Sequence, residues 1–179
     1  PSGVIAPELI TQAQIRLESW GYRVSIGKNA MQQYGRFAGT KEQRLSDINE
    51  ALADPSIDII LCSRGGYGLQ QVIDQIVLPT RPKIEWPLVV GYSDITALHS
   101  LMALHGVPSL HMSMCKDLRE LADNDLTLLA MREALEGHTK KMWSEEQKVI
   151  GGNLSVLYGL QDTPWDLNHI IDNMDSAPI

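Results

Sequence analysis

Apolar residues recur along the first two thirds of the chain in two alternating rhythms. From Pro7 to Trp20, the residues Leu9, Ala13, Leu17 and Trp20 fall on one stripe and Gly21 is a natural stop, so this stretch predicts a helix. Tyr22 to Ile26 alternates apolar and polar residues, the pattern of a short strand. Thr40 and Gln43 make a capping box ahead of a helix that carries Leu45, Ile48 and Leu52 and ends at Asp54-Pro55. Ile57 to Cys62 is a dense β-branched run, expected of a strand buried on both faces. Glycine-rich residues 65–68 then turn the chain into a helix around Gln70 to Ile76. Leu88 to Val90 predicts another buried strand, Asp94 to His105 a helix, and Val107 to Leu110 a further strand. Strands separated by helices imply a parallel sheet with both faces covered.

Beyond Cys115 the rhythm changes. Asp123 to Leu135 predicts one helix, and residues 137–148 are polar and without period, as in a linker. Val149 opens a new apolar segment with a turn at Gly151-Gly152-Asn153-Leu154-Ser155. The expected fold class is therefore α/β. A Rossmann-like parallel-sheet domain covered by helices spans 1–115, a helix and linker span 116–148, and 149–179 form part of a second, smaller C-terminal domain.

Composition narrows the function. With 44% hydrophobic and 21% charged residues the chain is an ordinary globular one. Its net charge of -7 argues against a nucleic-acid surface, which needs clustered Lys and Arg. Cys62 and Cys115 give neither metal-ligand spacing nor a disulfide framework, which fits a reducing, cytoplasmic compartment. No apolar run approaches the length of a membrane span. No signal peptide is visible, although the chain starts at Pro1 rather than Met, which leaves a removed leader open.

In an open parallel sheet, ligands bind beyond the carboxyl ends of the strands. Two loops sit at such ends: Ser63-Arg64-Gly65-Gly66-Tyr67-Gly68 and Gly91-Tyr92-Ser93-Asp94. The second puts a serine at the apex of a strand–turn–helix, like a nucleophile elbow, but lacks the second glycine of G-x-S-x-G. Alternatively Ser93 or Asp94 caps the following helix, and the two roles can coexist. In the first loop, adjacent glycines let the backbone approach a ligand, and their N–H groups can form an anion nest or half of an oxyanion hole. A tight turn that simply needs positive φ would use the same residues. Arg64 suits bidentate binding of a carboxylate or a structural ion pair equally. Cys62 reads as core, and His99 and His105 as helix-packing residues. His111 ends a strand near the cleft without an obvious carboxylate partner. Asn153 either hydrogen-bonds a peptide or caps the helix beginning near Leu154, with capping favoured. Trp86 and Trp165 are binding aromatics or ordinary aromatics near turns.

Five segments agree in order and spacing with one family. They are Pro1-Ser2-Gly3, Tyr34-Gly35-Arg36-Phe37-Ala38-Gly39-Thr40, Arg64-Gly65-Gly66-Tyr67-Gly68, Gly91-Tyr92-Ser93-Asp94-Ile95-Thr96 and Ile150-Gly151-Gly152-Asn153-Leu154-Ser155. Over nearly the whole first domain the chain resembles the LD-carboxypeptidases, which include the microcin self-immunity peptidases. The resemblance implies a serine peptidase of peptidoglycan recycling that removes the terminal D-alanine from the L,D-linked murein tetrapeptide. It implies Ser93 as nucleophile and backbone N–H groups of the Gly65-Gly66 turn and of Asp94 as the oxyanion hole. It further implies a Ser-Glu-His triad, no metal and no cofactor. Arg64 or a cation of the second domain would hold the substrate's free carboxylate, and Asn153 is the second substrate-binding candidate. The expected partner is a murein peptide, with no nucleic acid and no membrane, and the family's habit of pairing makes a homodimer an expectation.

The triad's Glu and His have no counterpart here. No Glu follows Glu146, the chain closes on Ala177-Pro178-Ile179, and His169 does not fit the missing place. The favoured expectation is that stretches of chain are absent from this sequence, near Val149 and between Asn168 and Ile171. The alternative is a truncated chain. The rival functions are a self-immunity hydrolase cleaving a toxic peptidyl-nucleotide and a non-catalytic binding module, the latter if the Glu and His are truly lacking.

Overall fold

Three parallel strands, β1 (Ile59–Leu61), β2 (Leu88–Gly91) and β3 (Ser109–His111), lie side by side in that order in a computed structural model that describes residues 1–137 and 150–170. Side chains alternate across the strands and so feed two cores. Ile60, Cys62 and Val89 pack with Ile48 and Leu52 of α2 (Lys41–Ala53) and Leu98 and Met102 of α3 (Thr96–Leu104). Ile59, Leu61, Leu88 and Val90 pack on the other face with Ile10, Ala13 and Leu17 of α1 (Pro7–Ser19). That second core is completed by Leu118 of α4 (Cys115–Glu120) and Leu128 and Met131 of α5 (Leu126–Leu135). The α/β parallel-sheet class is thus as the apolar rhythm predicts.

Both long N-terminal helices follow their sequence signals. Pro7 starts α1, where a missing N–H costs nothing; of the predicted stripe Ala13 and Leu17 are buried and Leu9 and Trp20 half-buried against the same core, while Ile10, outside that stripe, is buried with them. In α2, Thr40 Oγ1 accepts from Gln43 N at 3.3 Å, while Gln43 Oε1 accepts from Thr40 N at 2.9 Å, so the capping box is complete. Asp54 ends it.

Elsewhere the structure corrects the expected elements. Tyr22 to Ile26 alternates half-buried with exposed residues, yet it joins no ladder among the described residues. A cavity of about 470 Å³, lined by Tyr22, Val24 and Ile26 on one side and Ile59 and Leu61 on the other, separates it from β1. Those two β1 residues also line a smaller cavity of about 300 Å³, and they remain only half-buried where full burial was expected. The helix expected at Gln70 to Ile76 is two single 3₁₀ turns, Leu69–Gln71 and Ile73–Gln75, broken at Val72 with φ −131°. Stiff β-branched neighbours in so short a segment do not nucleate an α-helix. Strand β3 begins at Ser109 rather than Val107, after Pro108, which has no N–H to give a ladder. Asp125 caps α5, accepting from Thr127 N at 2.8 Å, so that helix starts at Leu126 rather than Asp123. The six-residue α4 has no counterpart among the predicted elements.

The linker expected at 137–148 lies, Gly137 apart, outside the described residues, as does the tail from Ile171. Within 150–170, α6 (Leu154–Leu160) sets Val156 and Leu160, with Trp165 just beyond, against the same core as α2 and α3. Among the described residues no helix is long and apolar enough to cross a membrane.

Candidate active site

β2 ends at Gly91, and within two residues the chain turns from strand to helix. Ser93 sits at the apex of that turn with φ +64°, one of only two non-glycine residues with positive φ among those described. A left-handed serine costs on the order of 1 kcal/mol and persists only where its surroundings impose it. Here the imposition is visible. Behind the turn, a Cβ on Gly91 would stand 3.0 Å from Ile95 Cγ1 and 3.2 Å from Cys62 Cβ. In front, the backbone of Gly65 presses on the serine, and a Cβ there would lie 2.9 Å from Ser93 Cβ and 3.2 Å from its Oγ. A 3₁₀ turn, Ser93–Ile95, then leads directly into α3.

All six residues singled out from the sequence meet in one cleft of about 760 Å³: Ser93, Asp94, Gly65, Gly66, Arg64 and Asn153. Neither Ser93 nor Asp94 caps α3, contrary to the capping alternative, because the α3 N-terminus carries no side-chain cap. Asp94 is 2% exposed, and its carboxylate instead accepts from the Ser2 hydroxyl and, at 3.0 Å, from Leu69 N. Asn153 does cap α6: its Oδ1 accepts from Val156 N at 3.2 Å, and its own N–H donates to Thr96 Oγ1 at 2.9 Å. Arg64 Nη1 donates to the Val4 carbonyl at 2.5 Å, and no acid pairs with it among the described residues. This geometry offers a half-buried serine hydroxyl at the apex of a turn, the bare backbone of Gly65 beside it and a cation at the rim, parts that acyl transfer to serine can use once a base is supplied.

Residues 1–112 match the family model of the LD-carboxypeptidase N-terminal domain. The chain belongs to the LD-carboxypeptidase family. It is 30% identical to the murein tetrapeptide carboxypeptidase of Pseudomonas aeruginosa over 88% of this chain and 57% of that protein. Among solved structures, the muramoyltetrapeptide carboxypeptidase of Oxalobacter formigenes superposes with TM-score 0.72 at 26% identity, covering 93% of this chain and 59% of the other. The microcin C7 self immunity protein, in complex with aspartyl sulfamoyl adenosine, shares the fold with TM-score 0.71 at 19% identity, over 89% of this chain and 59% of its own. The chain thus spans less than two thirds of the length of these relatives.

Other titratable groups of this LD-carboxypeptidase domain serve packing. Buried His99 is squeezed between the Gly91 carbonyl, 2.8 Å from Nε2, and Ser109 Oγ, 2.8 Å from Nδ1. Since a carbonyl only accepts, Nε2 carries the proton, and burial depresses the pKa so that the ring stays neutral. His105 caps the end of α3, with its ring 6.1 Å from that of Trp86. His111 lies 5.8 Å from the His99 ring and 6.3 Å from the Tyr92 ring, not in the cleft lining. Cys62 and Cys115 are buried; burial raises both thiol pKa values, that of Cys115 to about 12. Trp86 and Trp165 pack on the core, and neither lines the cleft. His169 hydrogen-bonds the Thr163 carbonyl at 3.1 Å.

Sequence reasoning missed Ser2, Lys116, Tyr92 and Gln70. The last three line the cleft, and Ser2 supports it from behind. Ser2 carried a signal, since it lies in the first matching segment, whereas nothing local marks Lys116. Among the described residues no histidine lines the cleft, Ser93 Oγ has no hydrogen-bond partner, and no cluster of His, Cys, Asp or Glu is arranged to hold a metal.

Proposed function

We propose that this chain is the nucleophile-bearing part of a serine-type LD-carboxypeptidase that removes the terminal D-amino acid from L,D-linked murein tetrapeptides. The observation that carries the proposal is Ser93 at φ +64°, held on the turn leaving β2 against the bare backbone of Gly65. A side chain is kept in that conformation when its position matters more than its strain. Family membership and the name of the Pseudomonas relative supply the substrate class.

In this reaction Ser93 Oγ bonds to the scissile carbonyl carbon while its proton passes to a base. The negative oxygen so formed is met by N–H groups of the Gly65-Gly66 turn and of Asp94. The C–N bond then breaks, the D-amino acid leaves with the proton on its amine, and water releases the acyl group from Ser93. Arg64, at the cleft rim, pairs with the substrate's free carboxylate, and Asn153 contacts the peptide. A histidine base with a carboxylate partner completes the chemistry, so the test uses the whole protein as its gene encodes it.

Release of D-alanine from an L,D-tetrapeptide is the assay. Ser93→Ala is expected to lower turnover by about 10³-fold or more. Its thermal midpoint should stay within about 2 °C of the parent, because the hydroxyl holds nothing else together. Undiminished turnover in Ser93→Ala would end the proposal. Turnover of a peptidyl-nucleotide in place of the tetrapeptide would keep Ser93 and change the substrate.

A further inference from the structure

Two adjacent glycines cannot hold their own loop, because they have no side chains to anchor and more backbone freedom to lose than any other residue. In this fold the anchors of the loop at residues 65–68 come from three distant segments. At its near end Gly3 N donates to the Gly65 carbonyl at 3.1 Å. At its far end the peptide joining Gly68 to Leu69 is gripped from both sides. Its N–H donates to the Asp94 carboxylate at 3.0 Å, and its carbonyl lies 3.5 Å from Arg44 Nη2. Ser2 bridges the two, donating its hydroxyl proton to Asp94 and accepting from Gly68 N at 3.3 Å.

The charges at the two ends of this peptide are both buried, with Arg44 2% and Asp94 2% exposed. Arg44 also donates to the Gly39 carbonyl at 2.9 Å and to Gln71 Oε1 at 3.1 Å, and its guanidinium stacks 4.7 Å over Phe37. A cation at the carbonyl end and an anion at the N–H end align with the peptide dipole, and hydrogen bonds to charged groups are about twice as strong as neutral ones. Asp94 immediately follows Ser93. One carboxylate therefore links the nucleophile turn rigidly to the loop that faces it.

We propose that Asp94 is a positioning residue whose buried carboxylate, balanced by Arg44 across the Gly68–Leu69 peptide and bridged by Ser2, fixes the spacing between the glycine loop and Ser93. This rests on the reading of Ser93 as nucleophile. Donors that are to meet an oxyanion must be in place before the reaction, and a displacement of about 1 Å costs about 10²-fold in rate. The clamp acts on turnover more than on binding, since the residues proposed above to hold the peptide, Arg64 and Asn153, lie outside residues 65–68.

The test compares Asp94→Ala, Asp94→Asn, Ser2→Ala and Ser93→Ala in the whole protein. Asp94→Ala should lower kcat about 10²-fold with KM changed less than about 3-fold, and Asp94→Asn and Ser2→Ala should each lower kcat about 10-fold. Labelling of Ser93 by a fluorophosphonate, which sets a phosphonyl oxygen where the oxyanion would form, should slow as well. Folded Asp94→Asn and Ser2→Ala proteins that keep parental kcat and labelling rates, and differ only in thermal midpoint, would overturn the clamp while Ser93 stands. These two milder variants decide the matter if Asp94→Ala does not fold. Activity retained by Ser93→Ala would instead remove the nucleophile, and the clamp with it.

Discussion

Gly65 and Ser93 occupy space that only one of them can fill. A methyl group on Gly65 would stand 2.9 Å from Ser93 Cβ and 3.3 Å from the Tyr92 carbonyl, with rigid neighbours on each side. Gly65→Ala is therefore expected to push the loop away from the Ser93 turn and, if Ser93 is the nucleophile as proposed, to lower kcat/KM by about 10²-fold. Its thermal midpoint should fall by a few degrees at most, since the site lies at the rim of both cores. Kinetics and a melting curve on the same preparation check this, and an unchanged kcat/KM would show that the loop does not support the reaction. At this scale the sequence was half legible. The glycines announced close approach, but Gly-Tyr-Ser-Asp fits a helix cap as well as an elbow, and the left-handed serine has no local signature. The partners of the Asp94 carboxylate, Ser2 and Leu69, lie 92 and 25 residues away in the chain, beyond the reach of any reading by local pattern.

Among the elements, those whose order is set within a few residues were legible. The stripe of α1 and the capping box of α2 are read from spacing alone, because helix faces and caps are local matters. The segments at 22–26 and 70–76 were misread for the complementary reason. A strand exists only if a neighbour pairs with it, and a short β-branched run becomes helix only if its surroundings require it. Helix α2 matters to the site because it carries Arg44, whose guanidinium reaches the Gly68 carbonyl. Thr40→Ala removes one half of the capping box and should destabilise the protein by about 1 kcal/mol in urea unfolding, with the slope unchanged. A loss below about 0.3 kcal/mol would mean that the packing of Ile48 and Leu52 alone holds this helix.

For the molecule as a whole, the sheet places the cleft and, among the described residues, leaves the β1 edge without a partner strand. Its strands point their carboxyl ends at the Ser93 turn and the glycine loop, which is where a parallel sheet gathers ligand-binding loops. This general placement followed from the alternation of strands and helices, but the extent of the sheet did not. The hydrogen bonds from Leu88 N to the Asp58 carbonyl and from Cys62 N to the Val90 carbonyl show that alternate residues of β1 face β2. By the same alternation the N–H and C=O groups of Ile59 and Leu61 face the opposite edge, where two cavities of about 470 and 300 Å³ lie and no strand pairs among the described residues. In the 179-residue chain, native-state hydrogen exchange should separate these amides. Cys62 should exchange near the global unfolding rate, and Ile59 and Leu61 at least about 10²-fold faster, through local opening alone. Equal protection at all three that is lost on dilution would show that this edge has taken a strand from a second copy of the chain, the known hazard of an unpaired edge. The association should then vanish on dilution, and the exchange of Ile59 and Leu61 should rise with it.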